Sequence, residues 1–304
     1  MKKDFLTIRD FTVEELAATL KLATDMKSQP QNYTSALNGK TLAMIFEKPS
    51  LRTRVSFDVG IHQLGGFSLP LLPSEISLGK RESIHDVAKN LERMVQGIMI
   101  RTFAHQIVID MARFASVPVI NALTDYSHPC QALADFLTIQ EVKGNLKGLK
   151  LCYVGDGNNV AHSLMFAGAR LGTNVTIACP KGFEPSPGAL QQAQADAKET
   201  GARIEVVQDP AEGVHGADAI YTDVWTSMGQ ESEAETRKAI FQPYQVNKQL
   251  MAKAKNGAIF MHCLPAHRGD EVTDEVIDSA ASVVFQEAEN RLHAQKAVLY
   301  QLMK

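Results

Sequence analysis

Short apolar runs of strand length alternate with helical stretches along the chain, and this rhythm restricts the fold more than any other feature. In the first half the runs cover residues 41–46, 67–71, 96–100 and 118–121. In the second half they cover residues 150–154, 174–178, 203–207, 219–223, 258–262 and 282–285. Strands that alternate with helices predict parallel sheets flanked by helices. We therefore predict an α/β fold.

A polar, glycine-rich stretch, KGNLKGL at residues 143–149, interrupts this rhythm near the middle of the chain. A chain of 304 residues commonly splits into two domains. We predict a first domain over residues 1–143 and a second over residues 144–286, each with a central parallel sheet. The last stretch, residues 287–303, is predicted to be one terminal helix.

Composition and charge exclude several classes of protein. The net charge is -3, and no block of five basic residues occurs, so we expect no nucleic-acid partner. No signal peptide and no run of about 18 apolar residues is present, so we expect no membrane span and a cytoplasmic location. The cysteines are far apart and form no CxxC pair, and Cys263 has no recognised zinc spacing to His262 or His267.

Residues 46–54 read FEKPSLRTR, where a predicted strand ends and Ser50 opens a helix with Arg52 and Arg54 in its first turn. Helix starts usually favour acidic residues, because that end of the helix dipole is positive. Backbone N–H groups, the hydroxyls of Ser50 and Thr53 and a guanidinium fork can instead converge on one phosphate. A capped surface helix with solvated arginines is the alternative. No Walker motif occurs, so this is not a nucleotide P-loop.

Two further predicted strands of the first half end in polar residues. Arg101 follows the run at 96–100, and His128 precedes Pro129 and lies three residues before Gln131. A single histidine is more often structural than functional. Open α/β sheets, however, bind ligands at the carboxyl ends of their strands. The coincidence of polar groups at three strand ends favours one binding site over three separate structural roles.

The stretch GDGNNV at residues 155–160 follows a predicted strand and resembles the start of a dinucleotide-binding loop. Val160 occupies the position of the third glycine, and no acidic residue ends the next strand to bind a ribose hydroxyl. NAD binding is therefore disfavoured. A small polar ligand held by Asn158 or Asn159 suits this loop better.

Other strand ends in the second half also carry reactive groups. Asp223 begins the stretch DVWTSMG, which contains Ser227 and Met228, and Cys263 lies in the stretch HCLP. An ordinary polar loop and a core cysteine are the structural alternatives. Arg291 follows acidic residues near the start of the terminal helix, where a solvated helix face is the alternative.

The motifs S-x-R-T-R, H-P-x-Q, D-x-x-x-S-M-G and H-C-L-P, in this order, resemble those of the aspartate/ornithine carbamoyltransferase family. The resemblance covers nearly the whole chain, and the last two motifs favour the branch that uses ornithine. It implies transfer of the carbamoyl group of carbamoyl phosphate to the δ-amine of L-ornithine, which gives L-citrulline and phosphate in arginine biosynthesis. It implies neither a metal nor an organic cofactor.

The resemblance also implies roles for individual residues. The residues implied to hold the phosphate of carbamoyl phosphate are Ser50, Leu51, Arg52 and Thr53. Those implied to contact the phosphate or the carbonyl group are Arg101, His128, Gln131 and Arg291. The ornithine-binding residues are implied to be Asn159, Asp223, Ser227, Met228, Cys263 and Leu264. The implied catalytic residues are Arg101, His128, Cys263 and Arg291.

The resemblance further implies two α/β domains with the active site in the cleft between them, the helix 287–304 packed back on the first domain, and an assembly of trimers or multiples of trimers. Leu51 departs from the S-T-R-T-R pattern common in the family, so this position can donate only through its backbone. A related enzyme that uses putrescine or an acylated ornithine would keep the first half but change residues 223–228. A non-catalytic phosphometabolite sensor would have no need of Cys263.

Overall fold

A computed structural model describes residues 3–76, 78, 79, 81–227, 229 and 231–304 of the chain. The chain divides into two compact units. Unit 1 comprises Met1–Leu137 and Glu289–Lys304, and unit 2 comprises Thr138–Ala288. Each unit contains one parallel sheet flanked by helices, which confirms the predicted α/β fold class. The division falls within a helix rather than in the polar stretch 143–149.

The bounds of the elements are as follows. The strands are β1 (Thr41–Phe46), β2 (Phe67–Leu71), β3 (Gly97–Arg101), β4 (Val119–Leu123), β5 (Lys150–Val154), β6 (Asn174–Ala178), β7 (Ile204–Val207), β8 (Ala219–Thr222) and β9 (Ile259–His262). The α-helices are α1 (Val13–Ser28), α2 (Leu51–Gln63), α3 (Pro73–Ile76), α4 (Ile84–Leu91), α5 (His105–Phe114), α6 (Pro129–Lys143), α7 (Asn159–Leu171), α8 (Pro187–Thr200), α9 (Pro210–Val214), α10 (Ala234–Phe241), α11 (Lys248–Met251), α12 (Asp274–Ile277) and α13 (Val284–Met303). Short 3-10 helices cover Ile8–Asp10, Pro30–Tyr33, Glu231–Glu233 and Gln242–Tyr244.

Local sequence explains where several elements begin. Thr12 caps α1 and forms a capping box with Glu15. The inner strand β1 is buried along nearly its whole length, which matches its continuous apolar sequence rather than an alternating one. Gly172 caps the C-terminal end of helix α7 with a positive φ of 77°, which a residue with a side chain rarely adopts.

The sheet of unit 1 has the strand order β2-β1-β3-β4, and all its paired strands are parallel. From β1 the chain first builds outward to β2 and then returns to the other side of β1 with β3. The strand order therefore reverses between β1 and β3, where Phe46 pairs with Arg101. Such a switch point leaves a crevice at the carboxyl ends of the two strands, which is where open α/β sheets bind ligands.

The sheet of unit 2 has the strand order β7-β6-β5-β8-β9, again with parallel pairing. Its switch point lies between β5 and β8, where Val154 pairs with Thr222. A buried apolar cluster that includes Cys152, Trp225, Phe241 and Phe260 lies against this sheet. The loops that follow β5 and β8 therefore emerge side by side from a rigid base.

The predicted strand at residues 282–285 is wrong. Ser282 forms only an isolated bridge with Phe260, and α13 begins at Val284, three residues before its predicted start. The run SVVF has high strand propensity, but helical backbone bonding begins at once, because the Glu287 N–H donates to the Val283 carbonyl at 2.8 Å. Across the described ranges, we find no helix with both the length and the apolar character needed to cross a bilayer.

Candidate active site

Helix α2 follows β1 at the switch point of unit 1, and its first turn carries groups that can bind an anion. The Ser50 hydroxyl accepts a hydrogen bond from the Thr53 N–H at 3.2 Å and donates to the Thr53 hydroxyl at 3.1 Å. The Leu51 side chain is 74% exposed, so this residue can serve the site only through its backbone. Arg52 and Arg54 are both half-buried, and Arg54 pairs with Asp58 at 3.6 Å, one turn along the helix.

Arg101 and His128 are both buried, with 5% of each residue exposed. Arg101 ends β3 beside Phe46, and His128 precedes the first residue of α6. Burial lowers the pKa of His128 well below its usual value, and the positive charges of Arg291, Arg101 and Arg52 lower this pKa further. The imidazole is therefore neutral at pH 7, with one nitrogen that donates and one that accepts.

Arg291 connects three helices of unit 1. It lies on α13, donates to Gln131 Oε1 on α6 at 2.6 Å, and donates to Thr53 Oγ1 on α2 at 3.2 Å. The side-chain amide of Gln295 is oriented so that its nitrogen faces the Ser56 hydroxyl and its oxygen faces Arg291. In this orientation the oxygen accepts a hydrogen bond from the Arg291 Nη2 at 2.9 Å. Arg291 thus contacts both Thr53 and Gln131 directly, and Ser50 joins them through Thr53.

Sequence reasoning missed Lys48, which lies in the loop between β1 and α2. This lysine is buried, pairs with Asp125 at 2.5 Å, and lies over the Phe103 ring at 4.2 Å. Asp125 belongs to the loop that leads to His128, so the ion pair joins the loop after β1 to the loop after β4. The lysine in FEKPS is visible in the sequence, but its partner Asp125 is far away in the chain, so the sequence does not indicate that this lysine is buried in an ion pair.

In unit 2, Asp223 follows β8 and is the centre of a second polar cluster. Its carboxylate accepts hydrogen bonds from Asn158 Nδ2 at 2.9 Å, from the Val224 N–H at 2.8 Å and from the Cys263 thiol at 3.0 Å. Asn158 also caps α7, and Asn159 is the half-buried first residue of that helix. The loops after β5, β8 and β9 therefore meet at one carboxylate.

The turn that carries Cys263 is held by a buried histidine. The Leu264 N–H donates to His262 Nδ1 at 2.9 Å, and the other ring nitrogen, Nε2, lies 3.0 Å from Glu271 Oε1. Because Nδ1 accepts, Nε2 carries the proton and donates to the carboxylate. Leu264 adopts a φ of 57°, which is unfavourable for a residue with a side chain. This hydrogen bond stabilises the strained backbone beside the thiol.

A second buried carboxylate supports the same turn. Glu287 accepts from the His262 N–H at 3.0 Å and from the Tyr221 hydroxyl at 3.1 Å, and so ties the ends of β8 and β9 together. Sequence reasoning missed both Glu271 and Glu287. Glu271 lies in a polar stretch and Glu287 closely follows the apolar run SVVF, but acidic residues are rarely buried, so neither neighbourhood indicates complete burial.

Within the part of the chain that the structure describes, Asp223, His262 and Cys263 form the one cluster whose ligand-type atoms all lie within 4.8 Å of one another. Both ring nitrogens of His262 are already engaged, by the Leu264 N–H and by Glu271. A metal ion would have to displace one of these hydrogen bonds. The arrangement is therefore better suited to a polar organic ligand than to a metal.

The remaining predicted residues belong to the loop after β8. Ser227 is half-buried in this loop, and Met228 lies outside the described residues. The loop is anchored by Arg237 on α10, whose Nε donates to the Trp225 carbonyl at 2.6 Å and whose Nη2 bonds to Asp156. Burial raises the pKa of Asp156, and the adjacent Arg237 charge opposes this rise. Sequence reasoning also missed this buried ion pair.

Two family models together match most of the chain, one for each half. The family model described as the carbamoyl-P binding domain of aspartate/ornithine carbamoyltransferase matches residues 3–141. The model described as the Asp/Orn binding domain of the same family matches residues 147–302.

Individual relatives match over nearly their whole length. An ornithine carbamoyltransferase of Thermococcus kodakarensis is 58% identical over 99% of this chain and 96% of its own. The structure of ornithine carbamoyltransferase from Pyrococcus furiosus is similar with a TM-score of 0.97 and 54% identity, over 99% of this chain and 97% of that one. That from Gloeobacter violaceus has a TM-score of 0.91 and 46% identity, over 100% and 99%. The chain therefore belongs to the aspartate/ornithine carbamoyltransferase family.

Proposed function

We propose that this protein transfers the carbamoyl group of carbamoyl phosphate to the δ-amine of L-ornithine and releases L-citrulline and phosphate. Relatives of 52–58% identity that carry the name ornithine carbamoyltransferase support the choice of ornithine. One of them, from Pyrococcus furiosus, is named as an anabolic enzyme. We therefore assign the reaction to arginine biosynthesis.

The observation that carries the proposal is the contact of the Cys263 thiol with the Asp223 carboxylate at 3.0 Å. A buried carboxylate at a strand end is suited to an ammonium group, and a thiol beside it can position or deprotonate a neighbouring amine. A phosphate sensor would need neither group. Asp223 pairs with the α-ammonium of ornithine, while Asn159 and Ser227 donate to its carboxylate. Met228 and Leu264 complete the set of predicted ornithine-binding residues.

The groups of unit 1 are suited to carbamoyl phosphate. The phosphate is held by the free N–H groups at the start of α2, the Ser50 hydroxyl and the Arg52 guanidinium. The carbonyl oxygen, on which negative charge develops, accepts hydrogen bonds from Arg101, His128 and Thr53. The low pKa of His128 suits this role, because a neutral ring donates without competing for the proton of the amine.

The chemistry then follows in one displacement. The δ-ammonium of ornithine, like that of lysine with a pKa near 10.4, must lose a proton before it can attack. The Cys263 thiol passes its proton along the hydrogen bond to Asp223, the resulting thiolate accepts the δ-ammonium proton, and the neutral nitrogen attacks the carbamoyl carbon. The C–N bond forms, the C–O bond to phosphate breaks, and phosphate leaves with the bonding electrons and takes the second proton of the amine. No covalent acyl-enzyme is needed, because phosphate is already a good leaving group.

A homotrimer, or a multiple of trimers, in the cytoplasm completes the proposal. Leu51, Val55 and Val59 recur every four residues along one face of α2, and all three are exposed. The nearby strand β2 adds exposed Phe67 and Leu69. Apolar patches of this kind commonly mark interfaces, and a second copy of the chain is the occupant that an oligomer would supply. Light scattering should give a mass near three times 33.3 kDa or a multiple of it.

The test of function is a citrulline assay with carbamoyl phosphate and a set of amines. We expect turnover with L-ornithine, little with putrescine or N-acetylornithine, and competitive inhibition by L-norvaline, which keeps the α-groups but lacks the δ-amine. Equal turnover of putrescine would assign the protein to a different branch of the family. Calorimetric binding of carbamoyl phosphate without carbamoyl transfer to any amine would instead indicate a sensor.

A further inference from the structure

Asp135 is a completely buried carboxylate one helical turn beyond Gln131 on α6. Residues four apart lie on the same side of a helix. The Gln131 Nε2 donates to Asp135 Oδ1 at 2.8 Å. Burial removes a carboxylate from water at considerable cost, so an apolar side chain would serve packing better than Asp135 does.

The contacts of Gln131 admit only one orientation of its amide. A guanidinium only donates and a carboxylate only accepts. The amide oxygen must therefore face Arg291, whose Nη1 lies at 2.6 Å, and the amide nitrogen must face Asp135. If the carboxylate were replaced by an amide, Arg291 would still select this orientation, but the Gln131 amide nitrogen would lose its charged acceptor and the side chain would be held less firmly.

We propose that Asp135 is a positioning residue for carbamoyl transfer, which fixes the Gln131 amide and, through it, the Arg291 guanidinium. Arg291 then presents its other nitrogen to Thr53 Oγ1 at 3.2 Å. The chain of bonds Asp135–Gln131–Arg291–Thr53 thus runs from a buried negative charge to the first turn of α2. Its function is to orient donors before the substrate arrives, so that no reorganisation is needed during the reaction.

The inference rests on the proposed function, and the first test compares two variants in the citrulline assay. Asp135→Asn should lower kcat/KM for carbamoyl phosphate by about 10-fold to 100-fold, the loss expected when a positioned group shifts by part of an ångström. The KM for ornithine should change little at saturating carbamoyl phosphate. Glu141→Gln is the matched control, because it makes the same chemical change on an exposed face of α6, where Glu141 bonds to Gln286 at 2.8 Å. It should retain wild-type kinetics.

A double-mutant cycle with Gln131→Ala separates positioning from packing. If Asp135 acts through Gln131, adding Asp135→Asn to Gln131→Ala should lower kcat/KM for carbamoyl phosphate by less than about twofold. Losses that multiply in the double variant would overturn the inference, as would an Asp135→Asn enzyme that loses thermal stability but keeps the wild-type kcat/KM for carbamoyl phosphate. If Asp135→Asn does not fold, Asp135→Glu, which keeps the charge but moves the carboxylate, is measured in its place. A wild-type protein without carbamoyl transfer would reject the proposed function itself, which this cycle does not test.

Discussion

The Cys263 thiol donates a hydrogen bond to the Asp223 carboxylate at 3.0 Å, at the ends of two neighbouring strands. Cys263→Ser can keep this hydrogen bond, but a hydroxyl is far less acidic than a thiol. We expect turnover to fall by about 100-fold, with unchanged carbamoyl phosphate binding. Cys179→Ser, at the end of β6 and outside this contact, is the control in steady-state assays. Unchanged Cys263→Ser turnover across pH 6–9 would assign the thiol to packing alone.

Replacing Asp223, the other partner of this hydrogen bond, should weaken the binding of the amino-acid substrate only. Asp223→Asn removes the negative charge that we assign to the α-ammonium, and a buried ion pair that loses one partner costs about 3 kcal/mol. Calorimetry should show weak binding of both ornithine and norvaline, while carbamoyl phosphate binds as before. Asp209→Asn, at the exposed cap of α9 in the same unit, should bind all three normally. Wild-type norvaline affinity in Asp223→Asn would remove Asp223 from the recognition of the α-groups.

The two arginines of the α2 first turn should behave differently. Arg52→Ala should weaken carbamoyl phosphate binding by about 1.5–3 kcal/mol, because it removes a charge-assisted hydrogen bond at a half-buried position. Arg54→Ala is the matched control, since Arg54 already pairs with Asp58 and a surface pair contributes about 0–1 kcal/mol. Titration calorimetry measures both variants. Equal losses would mean that the whole turn, rather than Arg52, carries the phosphate charge.

Arg291→Lys should preserve charge but not geometry. A lysine ammonium is a point charge and lacks the planar fork that bonds Gln131 and Thr53 together. We expect kcat/KM for carbamoyl phosphate to fall by about 100-fold in steady-state kinetics. A lysine variant as active as the wild type would show that only the positive charge of Arg291 matters.

Stability should decrease in acid because His128 resists protonation. The pKa of this buried ring is well below about 6.5, the usual histidine value. As pH falls through 6.5, the unfolded chain therefore takes up a proton that the folded chain does not bind. The free energy of unfolding should then fall by up to about 1.4 kcal/mol per pH unit for this group. Denaturant titrations of His128→Gln between pH 7 and 5 should show a shallower decline.

Part of this decline should remain in the variant. Burial also lowers the pKa values of His105 and His293, so both rings contribute with the same sign. A His128→Gln protein whose stability follows the wild-type pH curve would mean that His128 is protonated equally in the folded and unfolded states.

The sequence predicts the polar strand ends because strand, turn and helix start are contiguous there. Ser50 and Thr53 follow β1 within a few residues, and a helix cap such as Thr12 has a local signature. The error at residues 282–285 arose because the helical backbone bonding that begins at Val283 overrides the strand propensity of a β-branched run.

The supporting groups of the site could not be predicted, because their partners are distant in the chain. Gln131 and Arg291 are 160 positions apart, and Arg237 and Asp156 are 81 apart. Glu271 lies only nine positions from His262, but nothing in the sequence marks it as buried. Acidic residues are rarely buried, so the expectation for any one of them is exposure. Only the folded structure identifies the exceptions.

Unit 1 is discontinuous, since Glu289–Lys304 belongs to it although these residues follow unit 2 along the chain. A ribosome makes a protein from its N-terminus, so Arg291 is added after every other member of the Asp135–Gln131–Arg291–Thr53 chain. A nascent polypeptide that has just emerged as far as Leu137 therefore lacks one of the three helices that meet at this guanidinium. Translation that stops before Arg291 would yield chains that contain the first turn of α2 but cannot form the hydrogen bonds from Arg291 to Gln131 and Thr53.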